Sequence, residues 1–211
     1  RYEEARARAE RVVALDPKNA AGHVLLGNVL AGLGDVDGAI ATLQKATAIA
    51  PGRGVLQSML GAMHARRGDR DAAAAAYAKA VEIEPASVDA QVALGLFRLS
   101  TGQVAEAEQA LLEARRLAPE DRGMLRALVA LYTSSGRADA AEPYLTTLAA
   151  GGDADASLRL IDLKLSAGDR KAAEAQLTEL ASRKEHRVQA TLRLAALQFS
   201  DGRRDAARAA L

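Results

Sequence analysis

The sequence predicts an all-α fold of antiparallel helix pairs, because three columns of residues recur along the chain at a nearly fixed interval. Glycines stand 34, 34, 34, 32 and 34 residues apart, at Gly34, Gly68, Gly102, Gly136, Gly168 and Gly202. A leucine lies eight residues before each glycine, at Leu26, Leu60, Leu94, Leu128, Leu160 and Leu194. An alanine lies five residues after each glycine, at Ala39, Ala73, Ala107, Ala141, Ala173 and Ala207. Each unit is therefore predicted to consist of a first helix, a turn at the glycine, and a second helix.

The second helix of each unit has the spacing of an amphipathic helix. Four residues after the alanines come Leu43, Tyr77, Leu111, Leu145, Leu177 and Leu211. Glycine at the turn can adopt the positive φ that ends the first helix. Asp35, Asp69 and Asp169 directly follow that glycine and are predicted to cap the second helix through their carboxylates.

Small residues between the two helices of a pair predict a close approach of the helix axes. Gly27, Gly61 and Gly95 directly follow the leucine column, and the alanine column adds a second small side chain to each pair. A larger side chain at either position would hold the helices apart. The pairs are therefore predicted to pack tightly.

Prolines mark the places where one unit ends and the next begins. Pro17, Pro51, Pro85 and Pro119 each follow a predicted second helix. Proline lacks the backbone N–H that a helix needs, and it disfavours helical backbone at the preceding residue. Each proline is therefore predicted to end its second helix.

The unit around Gly136 departs from this pattern. It ends in Gly151 and Gly152 without a proline, and the next glycine of the column arrives two residues early. Pro143 also falls early in its second helix, where it is tolerated if the helix begins near Asp139 and causes a kink if it begins earlier. We expect a change in the curvature of the array between residues 139 and 155.

Together these columns resemble the tetratricopeptide repeat, a family with Leu-Gly, Gly, Ala, Leu or Tyr, Ala and Pro at the same offsets in a 34-residue period. The resemblance covers the whole chain and implies a right-handed superhelical solenoid of about six repeats in a single domain, residues 1–211. The predicted units are 1–19, a lone second helix, then 20–53, 54–87, 88–121, 122–153, 154–187 and the truncated 188–211. The family has a large aromatic residue early in the first helix, where this chain has His23, Gln57, Gln91, Leu125, Ser157 and Thr191.

The composition argues against several kinds of partner. The 28 Lys and Arg residues nearly balance the 27 Asp and Glu residues, so no overall field favours nucleic acid. Cysteine is absent, which removes disulfides, thiol nucleophiles and Cys-ligated zinc. The longest apolar runs are far shorter than the ~20 residues of a spanning helix, so direct membrane insertion is not expected. The excess of Arg over Lys is typical of GC-rich bacterial genomes, and the compartment, bacterial cytoplasm or periplasm, stays open.

No residue pattern predicts catalysis or a cofactor. The sequence has no Gly-x-Gly-x-x-Gly after a strand, no Gly-x-x-x-x-Gly-Lys and no His-Glu-x-x-His. His23 and His64 occupy positions that are aromatic in the family, so they are predicted to pack between helices rather than to bind a metal. His186 lies beside charged residues and is predicted to be solvated. We therefore predict a protein without enzymatic activity, cofactor or metal.

The resemblance also implies where a partner would bind. In similar proteins the first helices line a concave groove, and positions 2, 5, 6, 9 and 13 of each unit point into it. In the first half these positions are mostly apolar, namely Val24, Leu25, Asn28, Ser58, Met59, Ala62, Arg66, Val92 and Leu96. In the second half they are mostly charged or polar, namely Arg126, Ser134, Asp155, Arg159, Asp162, Gln189 and Arg193.

Three arginines of the second half are predicted to stand at nearly the same height on successive first helices. One hypothesis is that Arg126, Arg159 and Arg193 form a ridge that holds a carboxylate or phosphate by charge-assisted hydrogen bonds. The alternative is that Asp155 and Asp162 neutralise these arginines within the groove.

The predicted function is a non-catalytic scaffold that binds an extended peptide or an amphipathic helix of a partner protein. Only Asn28 matches the carboxylate clamp of the family's chaperone adaptors, so an acidic chaperone tail is not the expected ligand. Two alternatives stay open. One is a periplasmic arm of a bacterial exopolysaccharide or secretion assembly, and the other is a substrate-recruiting arm of a larger glycosyltransferase or sulfotransferase.

The two ends of the sequence lack the polar terminal repeats that usually close such an array. Leu211 stands within an apolar stripe, and Tyr2 begins a second helix without its first helix. We expect the natural protein to be longer than this chain. We also expect the chain to self-associate through its terminal helices.

Overall fold

The computed structural model describes residues 2–184 and 186–211, which form thirteen α-helices and one short 3-10 helix with no β-strand among them. The α-helices are α1 Tyr2–Leu15, α2 Ala20–Leu33, α3 Val36–Ile49, α4 Gly54–Arg67, α5 Arg70–Ile83, α6 Val88–Ser100, α7 Val104–Leu117, α8 Arg122–Ser134, α9 Glu142–Ala150, α10 Ala154–Ser166, α11 Arg170–Ser182, α12 Arg187–Ser200 and α13 Arg204–Ala210. The 3-10 helix is Ala138–Ala141. The prediction of an all-α helical repeat is confirmed. Arg1, the first residue of the predicted unit 1–19, lies outside the described residues.

Contacts between residues divide the described chain into two compact units, one ending at Ala127 and one beginning at Leu128. In the first unit α2 pairs with α3, α4 with α5, and α6 with α7, while α1 packs on α2. The second helices α3 and α5 also contact the first helix of the next repeat, α4 and α6 respectively. The division of residues 1–211 into repeats of a single domain stays a prediction.

The core of the first unit passes from one helix pair to the next. Leu43 of α3, Leu60 of α4 and Ala76 of α5 belong to one buried cluster. Tyr77 of α5 and Leu94 of α6 belong to the following cluster, so no pair buries its apolar surface by itself. This sharing is the physical basis of a repeat array, in which neighbouring repeats complete each other's core.

The second unit has the same kind of core. Helix α10 contacts α9 and α11, and α12 contacts α11 and α13. Leu158 and Ile161 of α10, Leu177 of α11, and Leu194 and Leu197 of α12 lie in one buried cluster. Side chains from three consecutive helices thus stabilise one another.

The turns within the repeats follow the sequence prediction. The six glycines of the column have positive φ values of 87°, 90°, 81°, 73°, 83° and 77°, at Gly34, Gly68, Gly102, Gly136, Gly168 and Gly202. After three of these turns an aspartate carboxylate accepts a hydrogen bond from the backbone N–H three residues later. The distances are 2.9 Å for Asp35, 3.2 Å for Asp69 and 3.1 Å for Asp169. The predicted turns and caps are confirmed.

Glycine at the helix crossings allows the close approach that the sequence predicts. A Cβ atom on Gly61 would lie 2.9 Å from the Tyr77 ring, and one on Gly95 would lie 2.7 Å from the Leu111 side chain.

The four prolines also act as predicted, because α1, α3, α5 and α7 each end two residues before a proline.

The irregular fourth repeat has a divided second helix. Its 3-10 helix is followed by α9, which is only nine residues long. Pro143 is the second residue of α9, where no intrahelical bond requires its missing N–H, so the α-helix is not interrupted. Gly152 adopts a φ of 83° after α9, and the Asp153 carboxylate then caps α10. The change in curvature between residues 139 and 155 stays a prediction.

Candidate partner-binding groove

The first helices of neighbouring repeats lie side by side in the first unit. Helix α4 contacts α6 directly. On its other side, the Arg66 guanidinium of α4 donates a hydrogen bond of 2.6 Å to the carbonyl oxygen of Ala31 in α2. Positions 2, 6, 9 and 13 of a helix share one side, because successive steps of three and four residues follow the helical turn. These positions of α2, α4 and α6 therefore form adjacent stripes.

The predicted groove residues of the first unit fall into two classes of exposure. The exposed ones are Leu25, Asn28, Arg66 and Leu96, and the half-buried ones are Val24, Ser58, Met59, Ala62 and Val92. Val24 and Met59 pack against the cluster that contains Leu43 and Leu60. Ala62 packs against the cluster that contains Tyr77. The half-buried side chains thus help to build the repeat, and the exposed ones are available to a partner.

Sequence reasoning missed one apolar residue on this surface. Val55 occupies position 2 of α4, and 47% of its surface is exposed, close to the 49% of Leu25 and the 42% of Leu96. The positional rule finds Val55 when it is applied at every repeat. We define the groove face as the exposed residues Leu25, Asn28, Val55, Arg66 and Leu96.

Charged residues of the second unit are paired with one another. The Arg159 guanidinium lies 2.7 Å from the Asp155 carboxylate on the same helix. The Arg193 guanidinium of α12 donates hydrogen bonds of 2.7 and 2.8 Å to both carboxylate oxygens of Asp162 in α10. These pairs favour the alternative in which aspartates neutralise the arginines. Arg126 is exposed on α8 in the first unit.

The ion pairs of the second unit are solvent-exposed, which limits their strength. The side-chain exposures are 49% for Arg159 and 42% for Arg193. Exposed pairs contribute roughly 0.2–1 kcal/mol, because water screens the charges and two long side chains are immobilised. A carboxylate from a partner could therefore compete with Asp155 or Asp162 at modest cost.

The pKa values of Asp69 and Glu174 are shifted, and neither residue belongs to the groove face. The pKa of Asp69 is lowered by the hydrogen bond from the Ala72 backbone N–H and by the Arg67 guanidinium. The pKa of Glu174 is lowered by hydrogen bonds from Arg203 and Gln198. Both carboxylates are thus held in their charged form by groups that connect helices, which is a structural role.

His23 and His64 have the packing environment that the sequence predicts, whereas His186, predicted to be solvated, is half-buried. His23 is only 4% exposed, and its Nε2 lies 3.0 Å from the Pro17 carbonyl oxygen. A carbonyl oxygen can only accept, so Nε2 donates. His64 is half-buried, with its Nδ1 3.2 Å from the Arg67 guanidinium. Among the described residues, no group of three or more His, Asp or Glu side chains is arranged to hold a metal ion.

The part of the chain that the structure describes contains no helix with the length and apolarity needed to cross a membrane.

Comparison with known proteins identifies the repeat type. A family model described as tetratricopeptide repeat matches residues 1–63 and 64–132. No curated protein matches the chain.

Several solved structures are similar to this chain. PilW, described as a widely conserved type IV pilus biogenesis factor, is similar over 86% of this chain and 86% of its own, with 21% identity and a TM-score of 0.70. PilF of Pseudomonas aeruginosa is similar over 90% of this chain and 88% of its own, with 20% identity and a TM-score of 0.69. YrrB, described as a TPR protein with an unusual peptide-binding site, is similar over 69% of this chain and 75% of its own, with 20% identity and a TM-score of 0.53. At these identities the similarity shows the fold, an all-α helical repeat, and no more.

Proposed function

The chain belongs to the tetratricopeptide repeat family, and we propose that it is a non-catalytic scaffold that binds a peptide or helix of a partner protein on its groove face. The family as a whole consists of protein–protein interaction scaffolds that are generally non-catalytic.

The observation that supports the groove face is the exposure of three large apolar side chains on neighbouring first helices. Leu25, Val55 and Leu96 each expose between two fifths and one half of their surface. Burying the exposed part of such a side chain contributes on the order of 1 kcal/mol. Three of them together could anchor a ligand of moderate affinity, with Asn28 and Arg66 available for hydrogen bonds beside them.

The pattern of anchors fits two forms of ligand. An extended segment would place alternate apolar side chains against successive helices, and an amphipathic helix would lay one apolar stripe across them. Both would bury a few Leu-like side chains between Leu25 and Leu96. YrrB offers a precedent within the fold, since its description names a peptide-binding site.

Affinity capture with matched variants tests the proposal. Leu96→Asp places a charge on the groove face, whereas Leu112→Asp places one on α7, where Leu112 is 39% exposed and outside the groove positions. We expect a bound protein that the wild type and Leu112→Asp retain and that Leu96→Asp loses, with an affinity reduced at least ~10-fold. Equal retention by both variants would overturn the proposed surface.

The two alternatives for the biological setting need evidence from outside this chain. A catalytic domain in the same gene would support the substrate-recruiting arm. A secretory signal upstream would support the periplasmic arm. PilW is described as a pilus biogenesis factor, but at 21% identity it does not favour either setting for this chain.

A further inference from the structure

A cavity lies in the second unit between the end of α9 and helices α10 and α11. Its volume is about 150 Å³. Its apolar lining consists of Ala149, Leu160, Ile161 and Leu180, and its polar lining of Ser157, Gln176, Glu179 and Arg183. On α10 the lining residues occupy positions 4, 7 and 8 of the repeat. These positions face away from positions 2, 6 and 9, so the cavity is on the opposite side of the helix from the predicted groove.

The cavity has a local cause in the sequence. At position 4 of two other repeats, His23 and Gln91 are buried. Each places a side-chain nitrogen 3.0 or 3.4 Å from the carbonyl oxygen of the proline six residues earlier. In this repeat position 4 is Ser157, which is short and turns its hydroxyl back to the Asp153 carbonyl oxygen at 3.0 Å. The residue six positions earlier is Gly151, which also has a backbone carbonyl oxygen, so what this repeat lacks is a side chain at position 4 long enough to reach it.

The size and chemistry of the cavity suit an aromatic ring. A space of ~150 Å³ has room for a benzene-sized ring, and the four apolar residues offer it a contact surface. Arg183 lines the cavity with a side chain that is 52% exposed, and its guanidinium pairs with Glu179 at 2.9 Å. A guanidinium beside a cavity can stack on the face of an inserted aromatic ring. An aliphatic ligand has no such face and cannot make this interaction.

We propose that this cavity is a second binding site, which receives an aromatic side chain of a partner protein. The inserted side chain of the partner takes the place of the large side chain that position 4 lacks in this repeat. The proposal rests on the proposed function only in taking the ligand to be a protein, and the site is separate from the groove face.

Titration with a small aromatic probe tests the site without knowledge of the partner. N-acetyl-tryptophanamide is added to the ¹⁵N-labelled full chain, and N-acetyl-leucinamide serves as the aliphatic control. We expect chemical-shift changes centred on the amides of Ser157, Ile161 and Leu180, with clearly weaker binding of the leucine amide. Shifts scattered over the surface, or equal binding of both amides, would overturn the proposal.

Two variants test whether the probe binds in this cavity. Ser157→Gln restores the side chain that Gln91 provides elsewhere, and it should abolish the localised shifts. Arg183 is exposed, so Arg183→Gln is not expected to impair folding. This variant should lower the affinity for the aromatic probe about two- to fivefold. Unchanged probe affinity in Arg183→Gln, or in a folded Ser157→Gln, contradicts the site. Leu96→Asp should leave the probe affinity unchanged, so a failure of the groove face remains distinguishable from a failure of the cavity.

Discussion

At the scale of single residues, the cap of α2 is a separable contribution to stability. The Asn19 Oδ1 accepts a hydrogen bond of 2.9 Å from the Gly22 backbone N–H. Asn19→Ala should lower the free energy of unfolding by about 1 kcal/mol, because it leaves that donor without its acceptor. Asn19→Asp retains an acceptor oxygen, so its free energy of unfolding should fall much less. Chemical denaturation of the three proteins measures the difference, and equal losses in both variants would contradict the role of the cap.

The helix crossing at Gly61 should not tolerate a methyl group. The Cβ atom of an alanine would lie 2.9 Å from the Tyr77 ring, which is itself buried. We expect Gly61→Ala to destabilise the protein by about 1–3 kcal/mol despite the higher helix propensity of alanine.

The matched control is Gly123→Ala in α8. Gly123 is exposed, and a Cβ atom added there would have a side-chain oxygen of Asp121 as its neighbour within 4 Å. This variant should leave stability nearly unchanged. If thermal unfolding shows the same shift for both variants, crowding at the Tyr77 ring is not the cause.

A pH dependence follows from the cap of α5. The pKa of Asp69 is lowered by the Ala72 backbone N–H and by Arg67, so its carboxylate stabilises the folded state at pH values above about 4, its ordinary pKa. That contribution is lost as the pH falls through the lowered pKa. Asp69→Asn keeps a cap oxygen but has no charge. The stability difference between wild type and Asp69→Asn should be largest near neutral pH and shrink in acid, and a constant difference would contradict this assignment.

Local residue patterns account for the features that could be predicted. The positive φ of Gly34 and Gly68, the caps at Asp35 and Asp169, and the helix ends before the prolines depend on neighbours within a few residues. The pairing of Arg193 with Asp162 spans 31 residues and depends on side-chain rotamers that no spacing encodes. For that reason the sequence left open whether the arginines of the second half were paired.

At the scale of helices, the second helix of the fourth repeat should be less stable than the second helix of the third repeat. Helix α9 has nine residues and follows a 3-10 helix, whereas α7 has 14 residues. A shorter helix has fewer hydrogen-bonded turns and opens locally at lower free energy. Amide hydrogens of α9 should exchange faster than those of α7 when hydrogen exchange is followed by NMR. Equal protection of the two helices would contradict the prediction.

The irregularity of this repeat was visible in the sequence, but its consequence was not. The missing proline and the early Gly168 predicted a change in curvature between residues 139 and 155. The cavity beside Ser157 depends on how α9, α10 and α11 pack together, and a missing side chain creates space only when its neighbours do not close over it. The sequence therefore predicted an irregular repeat but not the cavity.

At the scale of the whole molecule, self-association through the terminal helices stays a prediction, and we propose that α12, next to the C-terminal helix α13, contributes the surface. Val188, Leu192 and Phe199 are between 56% and 71% exposed on α12, which is more than any apolar residue of the groove face. Sedimentation velocity should show a mass that rises with protein concentration, and Leu192→Gln with Phe199→Gln should reduce that rise. A monomer at all concentrations, with wild type and variant alike, would contradict the proposal.

The central claim is that a partner binds on the first helices α2, α4 and α6. Hydrogen–deuterium exchange of the complex with the captured partner, read by mass spectrometry, tests it most directly. The account predicts new protection in peptides that contain Leu25, Val55 and Leu96, with little change in α3, α5 and α7. Protection confined to those second helices, with α2, α4 and α6 unchanged, would contradict it.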